Sequence, residues 1–233
     1  MPKQIKLVLF SIAFLLLPGS RAFAAPADDL NSILHRLDLA ATKFQSTSAN
    51  FEFDTITTYP VPDTDVQKGV VYYDRKGSGF EMGMHINQIN GQPVPKVIVV
   101  SGGTFKMYEK LINQVTTSKK AEKYESYLIL AFGASGKDLS DKWNIKYLGP
   151  ETIGGVNTEK LELVAKDADV LKLFPKVTIW VDPDRAISLK QVFDQGQGAS
   201  KVSIYSNIQV NPKSLPSDAF SFKTDSKTQF VNR

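Results

Sequence analysis

Residues 80–91 read FEMGMHINQING. Phe80, Met82, Met84 and Ile86 alternate with Glu81, Gly83 and His85, and the turn dipeptide Asn90-Gly91 ends the run. In an extended chain successive side chains point to opposite faces, so this period of two predicts a strand with one apolar and one wetter face. A single strand of this kind is common. The fold is decided by how often the pattern returns.

It returns along most of the chain. Phe51, Phe53 and Tyr59 are spaced around Glu52 and Asp54, Phe105 and Met107 around Lys106, and Trp143, Ile145 and Tyr147 around Asn144 and Lys146. Leu161 and Leu163 flank Glu162, Val177, Ile179 and Val181 enclose Thr178 and Trp180, and Val202 and Ile204 flank Ser203. Gly77-Ser78-Gly79, Ser101-Gly102-Gly103, Gly154-Gly155 and Gly196-Gln197-Gly198 separate the runs as turns. Many antiparallel strands on short turns make a meander or an open barrel.

Two stretches break the period. Residues 28–45 place Leu30, Ile33, Leu34, Leu37, Ala41 and Phe44 on one helical stripe, with Asp28 and Asp29 at the positive N-terminal end. Residues 119–132, followed by Gly133 as a C-cap, predict a second helix between two groups of strands. Shorter helical turns are expected at 138–141, 167–173 and 217–219. No repeat or composition shift divides the chain, so residues 25–233 are expected to form one domain of the α+β class.

Residues 1–24 are set apart. Lys3 and Lys6 precede the apolar run Leu7 to Leu17, and small residues follow up to Ala22-Phe23-Ala24. That order predicts a secretory signal peptide cleaved near Ala24, since the run is short of the roughly 20 residues a membrane span needs. The chain is therefore expected to be exported. The sequence has no cysteine, so the exported fold must hold without disulfides and carries no site for lipid attachment through a thiol. Lys3, Lys6 and Arg21 supply three of the four net positive charges, and no basic cluster with interleaved aromatics remains to suggest nucleic acid.

Catalytic patterns are sparse. Asp182-Pro183-Asp184-Arg185 brings two carboxylates and a guanidinium together, but it lies between two strand patterns, Val177, Ile179, Val181 and Ile187, Leu189, Val192. Proline fixes φ and aspartate bonds nearby amides, so a turn explains all four residues. Gly133-Ala134-Ser135-Gly136 misses the nucleophile-elbow spacing by one position. Gly196-Gln197-Gly198 lacks the third glycine of a dinucleotide site. The pairs Asp63/Asp65, Asp167/Asp169 and Asp182/Asp184 lack the rest of a calcium loop, and the two histidines, His35 and His85, lie far apart. No catalytic residue, metal site or cofactor is expected, and the protein is read as a non-enzyme.

Soft and aromatic apolar residues are plentiful at strand positions: Phe51, Phe53, Phe80, Met82, Met84, Phe105, Met107, Ile179 and Val181. Methionine adapts its shape to variable partners. The pattern fits either a core covered by the first helix or a ligand cavity.

The order of elements resembles the LolA/LolB-like family of outer-membrane lipoprotein-sorting carriers. The resemblance rests on Phe51-x-Phe53, then Lys68 to Arg75 (KGVVYYDR), then 97–108 (VIVVSGGTFKMY). It continues through 178–182 (TIWVD), 205–211 (YSNIQVN) and Leu215-Pro216-x3-Phe220-x-Phe222. The resemblance implies an open antiparallel half-barrel, a strongly curved sheet whose concave apolar face is covered by helices acting as a lid. Acyl chains of a lipoprotein or another lipid would lie in that cavity, contacted by the nine residues above, with Trp180 pointing outward or toward the chain ends. Arg75 is the match to the family's lid-pinning arginine, although Lys76-Gly77-Ser78-Gly79 follows it here in place of the family's usual proline.

The implied protein is a monomeric periplasmic carrier. An inner-membrane donor complex and an outer-membrane acceptor would be its partners. The same fold also serves envelope-stress sensors that bind a membrane-anchored regulator, and a structural protein with a filled core is a third expectation.

Overall fold

The computed structural model describes residues 29–77, 79–119 and 130–233. The signal peptide expected at residues 1–24 and most of the helix expected at 119–132 lie outside the described residues. Of that stretch, Phe132 is described, and it is extended rather than helical, bridging to Ile187.

Helix α1 spans Leu30–Lys43. Asp29 caps it by accepting a hydrogen bond from the Ser32 amide at 2.7 Å, which satisfies one of the orphan donors of the first turn. Ile33, Leu37 and Ala41 form its buried stripe. The β strands are β1 Ser46–Thr57, β2 Asp63–Lys76, β3 Gly79–Ile89, β4 Gln92–Ser101, β5 Thr104–Glu109 and β6 Gln114–Ser118. They continue with β7 Trp143–Ile153, β8 Val156–Ala165, β9 Lys176–Asp182, β10 Ile187–Gly196, β11 Ala199–Val210 and β12 Gln229–Asn232. Two short helices, α2 Gly136–Lys142 and α3 Ala168–Leu173, complete the order.

All the strands join one open sheet, in the order β12-β6-β5-β4-β3-β2-β1-β11-β10-β9-β8-β7. The protein is an α+β open half-barrel. Strands β1 to β6 form one consecutive meander and β7 to β11 another, and the two meet where β1 pairs with β11, Phe51 opposite Tyr205. Every pairing is antiparallel except β12 with β6. Neither β6 nor β12 has an alternating apolar signature in its sequence, QVTTS and QFVN, so neither was expected.

Register assigns the faces, because directly opposed residues share one. The row Phe51–Tyr205 continues with Tyr73–Met82–Val100–Phe105 and Gln191–Ile179–Leu161 on the same inner face. Two apolar clusters build on it. One packs α1 through Ile33 and Leu37 onto Leu161, Leu163, Val177 and Ile179. The other gathers Phe44, Phe51, Tyr73, Met82, Phe132 and Tyr205.

A register shift between Ser188 and Lys190 changes which residues of β10 face inward. Val192 pairs with Val202 and Thr178 on the outer face, while Gln191 and Phe193 take the inner one. Such a bulge inserts one extra residue and reverses the alternation beyond it.

The C-terminal segment crosses the outer face. Gly83 leaves room for the Ala219 carbonyl, where any Cβ would collide, and Tyr108 stacks on Phe222 at 5.2 Å. The segment then reaches the sheet edge, where the Gln229 amide donates to the Asn113 carbonyl at 2.9 Å and β12 begins.

Candidate ligand cavity

The Asp182–Arg185 stretch is the β9–β10 turn. Asp182 Oδ1 accepts from the amides of Asp184 at 3.0 Å and Arg185 at 3.3 Å, and its Oδ2 accepts from Arg185 Nε at 2.6 Å. Asp184 turns outward and receives both Nε and Nη2 of Arg36, at 3.0 and 2.8 Å, fastening α1 to the turn. The Arg36 hydrogen bonds hold the Asp184 carboxyl below the usual carboxylate range. These carboxylates are therefore engaged in structure. Asp167 caps α3 and Ser135 caps α2 in a reciprocal box with Asp138, so those motifs are structural as well. Among the described residues no His, Asp and Glu cluster could hold a metal ion.

A cavity of about 300 Å³ lies against the inner face where the two meanders meet. Phe53, Met82 and Met84 line it from the β1–β3 side, Gln191, Phe193 and Tyr205 from the β10–β11 side. Phe132 closes it from above, 1% exposed, its ring 5.0 Å from Tyr205 and 6.3 Å from Tyr73. The covering segment is stitched to β10. The Ser188 amide donates to the Ala131 carbonyl at 2.8 Å, the Ser188 hydroxyl to the Leu130 carbonyl at 2.7 Å, and the Gly133 amide to the Ala186 carbonyl at 2.7 Å.

Arg75 joins this segment to α1. Its Nη1 donates to the Ala41 carbonyl at 2.9 Å and its Nη2 to the Gly133 carbonyl at 3.0 Å. Gly133 holds φ +73°, and a side chain there would press on the Phe44 ring and the Arg75 guanidinium, so the position suits glycine alone. A wider depression of about 620 Å³ opens outside this junction, around Asp38, Thr42, Arg75, Phe80 and Lys137.

All nine apolar residues singled out from the sequence fall on the inner face. Phe53, Met82 and Met84 line the cavity, and Phe51 stacks beside it on Phe53 at 4.3 Å. Phe80 stacks on Tyr73 at 5.4 Å, toward the Arg75 end. Phe105 and Met107 continue the face toward β6, opposite Val100 and Ile98, without lining the cavity. Ile179 and Val181 are core beneath α1. Trp180 is on the outer face, 6% exposed, with the ammonium groups of Lys160 and Lys190 each 4.7 Å from its ring.

The cavity also holds residues that alternation did not single out: Phe132, Phe193, Gln191, Ser203 and Tyr205. Ser203 and Tyr205 sit two apart in β11, a spacing that could have placed them on the Phe51 face had the pairing been known. Burial holds the Tyr205 phenol far above its usual range, so its hydroxyl stays protonated.

Residues 44–223 match the family described as outer membrane lipoprotein carrier protein LolA. A crystal structure of an uncharacterized conserved protein from Thermus thermophilus superposes with a TM-score of 0.53 at 12% identity, over 87% of this chain and 98% of that one. A crystal structure of MucB gives 0.52 at 12% identity, over 87% of this chain and 65% of that one. At that identity both likenesses show the fold alone. Uncharacterized protein MJ0687 of Methanocaldococcus jannaschii is 30% identical over 127 residues, 54% of this chain, and the chain spans only 35% of the length of that curated relative.

Proposed function

The chain belongs to the LolA family of outer-membrane lipoprotein carrier proteins, and from that membership we propose that it is a periplasmic carrier that shelters lipoprotein acyl chains, or other lipids, for transfer toward the outer membrane. The observation that carries the reading is the 300 Å³, largely apolar cavity under Phe132. Its volume is at the lower end of the roughly 300–1,000 Å³ of ligand pockets. It takes a stretch of one chain as it stands, and more only when the covering segment moves.

The driving force is burial. About 0.8 kcal/mol accrues per buried CH₂, so ten methylenes supply about 8 kcal/mol, the scale of micromolar binding before ordering costs. Residues 130–134 act as the lid in this reading, and Arg75 is its latch. Phe51, Phe53, Phe80, Met82, Met84, Phe105, Met107, Ile179 and Val181 form the apolar floor that an opened cavity offers. An inner-membrane donor complex loads the carrier, an outer-membrane acceptor unloads it, and the carrier works as a monomer without chemistry of its own.

Native mass spectrometry with organic extraction, on protein purified from its own periplasm without detergent, tests this. Bound acylated polypeptide supports the lipoprotein carrier, and bound free lipid supports another cargo. A protein that is empty and also fails to bind a fluorescent fatty acid sinks the carrier reading. A sensor of a membrane-anchored regulator, or a structural protein, would then stand ahead.

A further inference from the structure

One wall of the cavity is polar, and its most buried group lacks a partner. Gln191 is 2% exposed, lines the cavity, and its Nε2 is buried with no hydrogen-bond acceptor. Its cross-strand neighbours on the inner face are Ile179 and Ser203, and Tyr205 follows two residues on from Ser203. Around this polar row lie Phe53, Met82, Met84, Phe132 and Phe193, and the lining also includes Asp54, whose Oδ1 is likewise buried without a partner. A buried amide N–H left unpaired costs about 1–3 kcal/mol, so it calls for an acceptor.

Resting on the carrier reading above, we propose that Gln191 receives the neutral carbonyl of an acyl ester or acyl amide, fixing how deep the cargo's chain end sits. A carboxylate fits this place poorly, because a buried charge needs a paired cation. The basic side chain on the lining, Lys201, is exposed, and it sits opposite Phe193 rather than Gln191. A plain hydrocarbon would leave the Gln191 donor unsatisfied. The ester of a glyceride and the N-acyl amide of a lipidated N-terminus both supply the required oxygen.

The test is displacement of bound 1-aminoanthracene, a probe with no carbonyl, by tridecane, methyl laurate, N-methyl lauramide and laurate. Wild-type protein is expected to prefer the ester or the amide to tridecane by about tenfold, the worth of one buried hydrogen bond. Gln191→Met, near in shape, should bring that preference within about twofold while tridecane binding holds or tightens. Because a core variant can misfold, the carbonyl stretch of bound ¹³C-labelled methyl laurate gives a second readout on wild-type protein. It should lie at lower wavenumber than in tridecane solution.

A preference that survives Gln191→Met, or a carbonyl band at the free position, overturns the assignment while the carrier reading stands. Displacement by none of the four compounds removes both. Preference for the amide over the ester points to a lipidated polypeptide as the source, and the reverse to a glyceride.

Discussion

Arg75 and Gly133 are joined through a 3.0 Å hydrogen bond from Nη2 to the carbonyl, while Nη1 of the same guanidinium holds Ala41 at the end of α1. A planar fork with donors on both nitrogens can bridge two carbonyls in this way, and a lysine cannot reproduce that geometry. One side chain therefore couples the first helix to the segment that carries Phe132.

Arg75→Leu leaves both carbonyls without their donor. The protein should remain folded, less stable by about 1–3 kcal/mol, and release a bound fluorescent fatty acid about tenfold faster. Stopped-flow displacement and urea unfolding measure the two effects. Equal release rates in variant and wild type would remove Arg75 from the gate.

Phe132→Ala should act differently with and without cargo. Truncating a buried phenylalanine costs about 3–5 kcal/mol through lost contacts and the void left behind. A lipid chain that enters the void restores part of that loss, so the variant's deficit should shrink on adding fatty acid. Thermal melts of both proteins, empty and loaded, decide it. An undiminished deficit means that the Phe132 space is closed to ligand.

Gly83→Ala tests the segment on the outer face. The new methyl group would collide with the Ala219 carbonyl, which belongs to a fully buried residue. Overpacking of this kind costs about 1–3 kcal/mol. Limited proteolysis should cut the variant within 211–228 at protease concentrations that leave wild type intact. Unchanged cleavage would show that this segment lies loosely on the sheet.

The Arg36–Asp184 pair gives a pH signature. Its hydrogen bonds lower the Asp184 pKa in the folded state from the ordinary 3.8. The stabilisation is thus present above pH 3.8 and is lost as pH falls through the lower folded value. The carboxylate is largely exposed, so the effect should stay under about 1 kcal/mol. Urea midpoints of wild type and Asp184→Asn should differ at about pH 6 and converge at about pH 2. A gap that persists in acid would assign the stability to something other than this ion pair.

The strands and the first helix were legible because their signals are local. FEMGMHI alternates by itself, and the α1 stripe needs only its own 3.6-residue period. The inner face was legible in part for the same reason: Phe53, Met82 and Met84 announce it. Gln191 did not, since the shift between Ser188 and Lys190 reverses parity along β10, and a bulge leaves no mark in composition. Phe132 sat in a run, SYLILAF, whose apolar residues fit a helix as well as an extended segment. Its bridge to Ile187 is a contact across 55 positions that no local period encodes. Strand β12 was hidden because its pairing with β6 comes from the path of the C-terminal segment, not from apolar alternation in QFVN.

The seam between β1 and β11 has a consequence for the order of assembly. Each meander can grow by neighbouring hairpins, but the seam closes a loop as long as that between Thr47 and Gln209, whose side chain and carbonyl meet across 162 positions. Loop closure on that scale is entropically slow compared with hairpin growth. Phe53 and Met82 come from one meander, Gln191 and Tyr205 from the other. The chamber is thus a property that neither half owns, and the proposed ability to hold an oily guest should switch on only at the last stage of folding.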